Sequence, residues 1–540
     1  MIGREVLAPL MFGGLVLFML IGYPVAFSLA AVGLFFGLIA IAVGLFDFSF
    51  MQALPERVFG IMANEVLLAI PFFTLMGAIL ERCGLAEDLL DSLGQLFGPV
   101  RGGLGYAVIL VGAILGAITG TVAASVIAMG LISLPIMMRY GYDMRFATGV
   151  IAASGTITQL IPPSLVLIVL ADQLGRPVSE MYAGAWGPSL IQILLFCAYV
   201  LFISIVRPQW VPALPLSART LSGWQLIKKC LRGIVPSIAL IFLVLGTILL
   251  GLATPTEGGA MGVVGAVVLA VLQRQEFSSH GLLATWVGVT ATLLVMLPEL
   301  IAQGAQSVPG MASLGVFINS FRVELLVLAY ACLLVVLAEA LWIAELRKMI
   351  QAAGRSTMLI TSMVIYILIG STIFTLVFRG VDGDLWIEHM LAVLPGGQVG
   401  FLVFVNAFVF VLAFFLDFFE IAFIIVPLLA PAAIKLGIDP VWFGVLLCVN
   451  MQTSFMHPPF GFALFYLRGI APKEIKSSAI YWGAIPWVML QMLMVGIVIA
   501  WPELVTKPLG QLHTPDTSGV QIEIPAADWT LSEPVKPESQ

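Results

Sequence analysis

Polar side chains stand at short spacing inside otherwise apolar runs, and their types limit the chemistry open to them. Thr119-Gly120-Thr121, Ser154-Gly155-Thr156, Asp417 and the series Asn450, Gln452, Ser454 offer hydroxyl, amide and backbone oxygens with one carboxylate. Such a set suits a small hard cation such as Na+, which asks for several oxygen ligands. Two double prolines, Pro162-Pro163 and Pro458-Pro459, lie deep in apolar stretches. Proline removes a backbone donor and clashes with the preceding turn. In hydrocarbon, a helix broken this way survives only where it is buried in protein or lines a wet cavity. The half-helices that resume at Ser164 and beyond His457-Pro458-Pro459 present free N–H groups and a positive dipole end, suited to a carboxylate.

Each of these residues has a plainer use. Thr119 and Thr121 can bond to carbonyls of the preceding turn in an unbroken helix. Asn450 and Gln452 can be hydrogen-bonding glue between helices. Asp417 and Glu420 are costly inside an apolar run, which points to function, although a wet cavity would simply solvate Glu420. Their charge also opposes a carboxylate nearby unless a cation offsets it. His457 can titrate near neutral pH or cap a carbonyl, and Glu257, after Thr254-Pro255-Thr256, reads equally well as a helix cap.

Enzymatic alternatives find little to stand on. The chain has no HExxH, no GxSxG with a histidine partner and no P-loop, so neither an intramembrane hydrolase nor ATP hydrolysis is indicated. Five scattered cysteines, with no CxxC, support neither a disulfide framework nor a zinc site. No cofactor is called for, and nothing suggests a nucleic-acid partner.

The elements that must position these groups are membrane spans. Of 540 residues, 61% are hydrophobic and 10% charged, with mean hydropathy +1.09, far from the balance of a soluble domain. Residues 1–100 read as two spans (6–25 and 26–46), a third at about 60–80 and an amphipathic interfacial helix from Glu81 to Leu96. Residues 101–206 hold an apolar hairpin, 104–138, a span 145–171 broken at its prolines, and a further span at about 188–206. A loop at 207–232 carries Arg207, Arg219, Lys228, Lys229 and Arg232 and no acid, hence a cytoplasmic placement. It opens the 207–280 segment, which adds two spans. Residues 281–346 form an extra pair of spans, and 347–399 a span and an outer loop. A second hairpin (400–434) and a second broken span (441–467) fill 400–468. A last span occupies 469–502, and a polar tail, expected to be mobile, 503–540.

Shifting the first half by 296 positions places Pro135 on Pro431, Gly141 on Gly437, Asp143 on Asp439 and Pro162-Pro163 on Pro458-Pro459. These residues set backbone geometry rather than fill space. Counting spans outward from the basic loop makes the first hairpin open to the cytoplasm and the second to the outside. The expected fold is therefore all-α and polytopic, with inverted repeats, two re-entrant hairpins and two broken helices.

Gly116-Ala-Ile-Thr-Gly-Thr121, Ala153-Ser-Gly-Thr156 with Ile161-Pro-Pro-Ser164, Ala253-Thr-Pro-Thr-Glu-Gly258, Phe415-Leu-Asp417, and Asn450 with Pro458-Pro459-Phe-Gly461 together resemble the large membrane subunit of tripartite ATP-independent periplasmic (TRAP) transporters. The likeness spans about 5–280 and 350–500. Three departures are the inserted spans 282–345, His457 where a threonine commonly precedes Pro-Pro, and Phe418-Phe419-Glu420 at the second tip. These look like a subgroup linked to keto acids, mannitol-like compounds or chloroaromatic acids. The resemblance implies an elevator-type fold in the bacterial inner membrane and sodium-driven import of an organic acid. It also implies a periplasmic solute-binding protein and a separate small membrane subunit of four spans. An ion-coupled anion carrier of the same fold without a binding protein is the alternative.

Overall fold

The computed structural model describes residues 4–120, 122–219, 223–274, 281, 283–288, 290–292, 294–295, 320–392, 395–414, 416–458 and 461–512. Among these, helices account for all the regular structure. The chain opens with α1 (Arg4–Ile21) and α2 (Val25–Ala42), turned at Gly22, whose φ of +90° only glycine adopts freely. The expected third span is two helices, α3 (Ala53–Met62) and α4 (Ala69–Arg82). From α4 the chain bends by 59° into α5 (Leu85–Phe97). Helix α5 buries Leu85, Leu89, Leu90 and Leu93 while Glu87 and Asp91 face outward, the amphipathic pattern its sequence shows.

The first repeat follows: α6 (Gly103–Thr119), α7 (Val122–Arg139), α8 (Met144–Thr156) and α9 (Leu165–Gln173). Helix α10 (Val178–Val206) starts ten residues before the span expected there. The basic stretch 207–232 is already helical from Gly223, the start of α11 (Gly223–Leu249). Basic residues mark a side of the membrane rather than a lack of helix. Lys229 pairs with Asp91, and Gln273 bonds to Asp88, so α11 and α12 (Pro255–Arg274) clasp the acidic face of α5. Thr254 and Glu257 cap α12 reciprocally: Thr254 N–H donates to Glu257 Oε2 at 2.8 Å, and Glu257 N–H to Thr254 Oγ1 at 3.2 Å.

Of the inserted pair, most of the first span lies outside the described residues; the second is α13 (Arg322–Trp342). Helix α14 (Ala344–Gly380) is longer than the span expected at 357–379 and carries Arg347, Lys348 and Arg355 on its first turns. It packs against α2 and α4, with Gly370 against the Ala26 backbone. A short α15 (Gly383–Ala392) leads to the second repeat: α16 (Gly397–Leu412), α17 (Phe418–Lys435), α18 (Pro440–Met451) and α19 (Phe462–Ile470). Helix α20 (Ser477–Ala500) is the last span, and the start of the expected mobile tail is instead helical, α21 (Glu503–Leu512). It buries Val505, and α10 receives it through Gly187, where a Cβ would meet the Leu504 carbonyl at 2.6 Å.

Both hairpins return the way they came. Gly112 of α6 abuts Ser154 and Val126 of α7 abuts Gly155, although a straight helix would hold Gly112 and Val126 about 20 Å apart. At the mouth of this hairpin, Leu104 N–H donates to Tyr142 Oη at 3.3 Å. At the mouth of the second, Gln398 Nε2 lies 3.5 Å from the Gly437 carbonyl oxygen, where a straight path would separate them by roughly 60 Å. The repeat is equally plain in backbone detail. Gly141 and Gly437 share φ +75°. Asp143 caps α8 by accepting from Arg145 and Phe146 N–H, and Asp439 caps α18 by accepting from Trp442 N–H.

The inversion is read against α20. Gly149 and the Arg145 carbonyl meet Gly483, and Thr156 meets Gln491, so α20 runs parallel to α8. Met456 also meets Gln491, and Trp442 Nε1–H donates to the Val498 carbonyl at 3.0 Å, so α20 runs opposite to α18. The two broken helices are therefore antiparallel.

Candidate ion and anion site

The broken helices cross where each gives up regular geometry. After α8 the chain tightens into a 3₁₀ turn at Ile157–Gln159, and after α18 into another at Gln452–Phe455. Cys448 Sγ lies 3.3 Å from the Gln159 carbonyl oxygen, and Thr156 Oγ1 lies 3.6 Å from Met456 Sδ. Gln491 reaches in from α20, its Nε2 donating to Thr156 Oγ1 at 2.9 Å. Asn450 Nδ2 donates to the backbone oxygen of Asn406 at 2.7 Å and to its side-chain oxygen at 3.0 Å, tying α18 to the second hairpin.

Several buried polar atoms here have no partner among the described residues: Ser154 Oγ, Asn450 Oδ1, Gln491 Oε1, and the side-chain amides of Gln159 and Gln452. Ser154, Asn450, Gln452 and Gln491 are wholly buried. Buried polar atoms are almost always paired, and leaving one bare costs about 1–3 kcal/mol. Neutral oxygens left this way are ligands of the type a small hard cation takes. Thr156 and Ser454 donate their hydroxyl protons to the Ala153 and Met451 carbonyls, which still leaves oxygen lone pairs to accept.

The hairpin tips close over the breaks. Gly120, at φ +61°, ends α6, and a Cβ there would lie 3.5 Å from Leu165 Cγ, so the first tip sits on the first residue of α9. Thr121 lies outside the described residues. Ser164 caps α9, accepting from Val166 N–H at 3.2 Å and donating to the Gln159 carbonyl at 2.5 Å. The Pro162–Pro163 bond is cis. Among the described residues no side-chain hydrogen bond caps α19 at Gly461, while Pro459 lies outside them. Pro458 leads into that break, and His457 beside it is stacked on Phe414 (centroids 4.1 Å apart) and edge-on to Phe410 (4.3 Å).

Asp417 and Glu420 form a capping box at the second tip: Glu420 N–H donates to Asp417 Oδ1 at 2.9 Å, and Asp417 N–H to Glu420 Oε2 at 3.0 Å. That local role explains why the pair occurs together. The repeats also interlock crosswise, α9 packing on α17 and α19 on α7, where Gly130 admits Ile470 and Leu467. First-half Ser154, Gly155 and Thr156 are thus brought to the same crossing as second-half Asn450, Gln452 and Ser454. Asn406, Gln159 and Gln491 join them without having been singled out in the sequence. The signal was there, since each is a lone amide in an apolar helix, but nothing in the chain order pairs them.

Paired re-entrant hairpins with antiparallel broken helices define an elevator-type membrane transporter fold. Residues 12–316 and 313–504 match the family described as "Tripartite ATP-independent periplasmic transporter, DctM component". The C4-dicarboxylate TRAP transporter large permease protein DctM of Pseudomonas aeruginosa is 26% identical over 86% of this chain and 90% of its own length. Its namesake in Vibrio cholerae is 26% identical over 91% and 97%. The isethionate TRAP transporter permease protein DctMQ of Oleidesulfovibrio alaskensis is 24% identical over 87% of this chain and 61% of its own. Among solved structures, the Alcanivorax borkumensis YdaH transporter superposes with TM-score 0.53 at 15% identity, covering 85% of this chain and 90% of that one.

The chain belongs to the DctM family and is a TRAP transporter large permease subunit. It is a multi-pass inner-membrane transporter component and not an enzyme. Membership of a tripartite system implies a small membrane subunit and a periplasmic binding protein as companions.

Proposed function

We propose that this subunit imports an organic anion, handed over by the periplasmic binding protein, in exchange for the energy of a sodium gradient. The observation that carries the reading is the set of buried oxygens near the crossing of the broken helices that lack a partner among the described residues: Ser154 Oγ, Asn450 Oδ1 and the amide oxygens of Gln159, Gln452 and Gln491. Neutral oxygens that recruit a cation there offset the negative charge of the Asp417–Glu420 cap and of an arriving carboxylate. Ion and anion would then favour each other's binding. The uncapped start of α19 and the Ser164-capped start of α9 supply amide dipoles for the anion. The named relatives handle C4-dicarboxylates and isethionate, all small organic anions. Hairpins and broken helices would move as one unit against α2, α4, α12 and α14, exposing the site alternately. The small subunit is expected as a separate chain of four spans.

Uptake into proteoliposomes holding all three components tests this. Accumulation should follow an imposed Na+ gradient and vanish when Na+ is replaced by K+ on both sides. Uptake indifferent to Na+ would remove the coupling claim, and Na+-driven uptake that persists without the binding protein would favour the carrier that works alone.

A further inference from the structure

A cavity of about 300 Å³ opens between the outer helices and the repeat core, and its lining includes none of the residues named at the crossing of the broken helices. The outer wall is α3, the turn that follows it and α14, contributing Arg57, Asn64, Thr372 and Thr375; the core contributes Asp172 at the end of α9 and Pro427 of α17. Two hydrogen bonds stitch the walls together. Asn64 Nδ2 donates to Asp172 Oδ1 at 2.6 Å, and Ser371 Oγ donates to the Phe423 carbonyl at 2.5 Å. Asp172 Oδ2 is taken by Gln173 Nε2 at 2.8 Å, so each carboxylate oxygen already accepts a hydrogen bond, one from across the cavity and one from its own wall. Arg57 differs. It is exposed and has no ion-pair partner among the described residues. By the span count from the basic 207–232 stretch, this cavity lies on the external side.

We propose that Arg57, with the Thr372 and Thr375 hydroxyls, forms an entrance subsite that holds the carboxylate of the incoming organic acid on the outer helices before it reaches the hairpin tips. A guanidinium offers a planar fork of donors matched to a carboxylate. The cavity's volume accommodates a small acid, and its low-dielectric walls strengthen the attraction. The subsite rests on the organic-anion reading above but requires neither the cation site nor movement of the core.

Gly60 provides the probe. It lines the cavity, and a Cβ there meets nothing within 4 Å. Full-length Gly60→Cys protein in lipid nanodiscs, without Na+, would be labelled with anionic and cationic methanethiosulfonate reagents. Rates are normalised to those with a free small thiol, and the parent protein corrects for its own cysteines. The anionic reagent should be favoured about tenfold. Succinate should slow labelling several-fold, with succinamide inert. Arg57→Gln should abolish both effects and Arg57→Lys should keep the charge preference. No anionic preference, or protection by succinate that survives Arg57→Gln, would overturn the subsite. Failure of the transport reading shows separately, in the uptake assay.

Discussion

Asn450 of the second broken helix holds Asn406 of the second hairpin by both its backbone and side-chain oxygens, from one amide nitrogen. That leaves Asn450 Oδ1 buried and unpaired at the crossing. One side chain thus fixes a hairpin arm and keeps a buried acceptor with no partner among the described residues.

Asn450→Ala should raise the Na+ concentration for half-maximal uptake by about tenfold or more, the equivalent of one lost charge-assisted contact. Asn406→Ala should have a smaller effect, since it removes the anchor and spares the acceptor. The check is Na+ titration of uptake in proteoliposomes. Equal, small effects from both would mean Asn450 is only glue.

Gln491 links the two repeats from outside them, bonding to Thr156 and touching Met456 Sδ at 3.7 Å. Gln491→Leu should lower the unfolding free energy by about 1–3 kcal/mol. It should also weaken Na+ dependence, because Thr156 loses its orientation. Thermal unfolding of the purified subunit with and without Na+ separates the two: the stabilisation by Na+ should shrink in the variant.

Gly112 and Gly141 make a matched pair. A Cβ on Gly112 would lie 2.7 Å from Ser154 Cβ and from the Ser154 carbonyl oxygen, pushing the first hairpin off α8. Gly112→Ala should cost about 1–3 kcal/mol by overpacking and abolish uptake. Gly141 at φ +75° has open space around it, so Gly141→Ala pays only backbone strain of about 1–2 kcal/mol and should retain Na+-driven transport.

Asp417→Asn keeps an oxygen to accept the Glu420 amide, so the cap should survive and expression stay near that of the parent. Asp417→Ala should lose about 1 kcal/mol with the cap. If the carboxylate charge matters to the ion, both variants should lose Na+ response alike. Loss in Asp417→Ala alone would assign the residue to capping only.

How much was legible beforehand depended on whether a signal was local. Pro162-Pro163, the glycines at 120, 141 and 437 and the aspartate caps act on backbone within a few residues, and each sits where its type alone requires. Element limits were less visible. Lys228, Lys229 and Arg232 resemble a loop until α5 supplies acids for the helix that carries them, and 503–512 resembles a free tail until α10 offers Gly184 and Gly187 to receive it. Polar groups in an apolar span likewise announce a site without naming their partners.

The amino-acid order by itself determined that this is a membrane protein of two related halves, each with a hairpin and a broken helix, because composition and backbone punctuation are properties of short segments. The basic loop also made the halves inverted, but only the tertiary structure decided that the two broken helices cross at Thr156 and Met456, and that Asn406, Gln159 and Gln491 complete that crossing. Those contacts join residues 44 to 335 positions apart. A buried amide takes whichever neighbour packing brings to it, and packing is settled by all the helices at once.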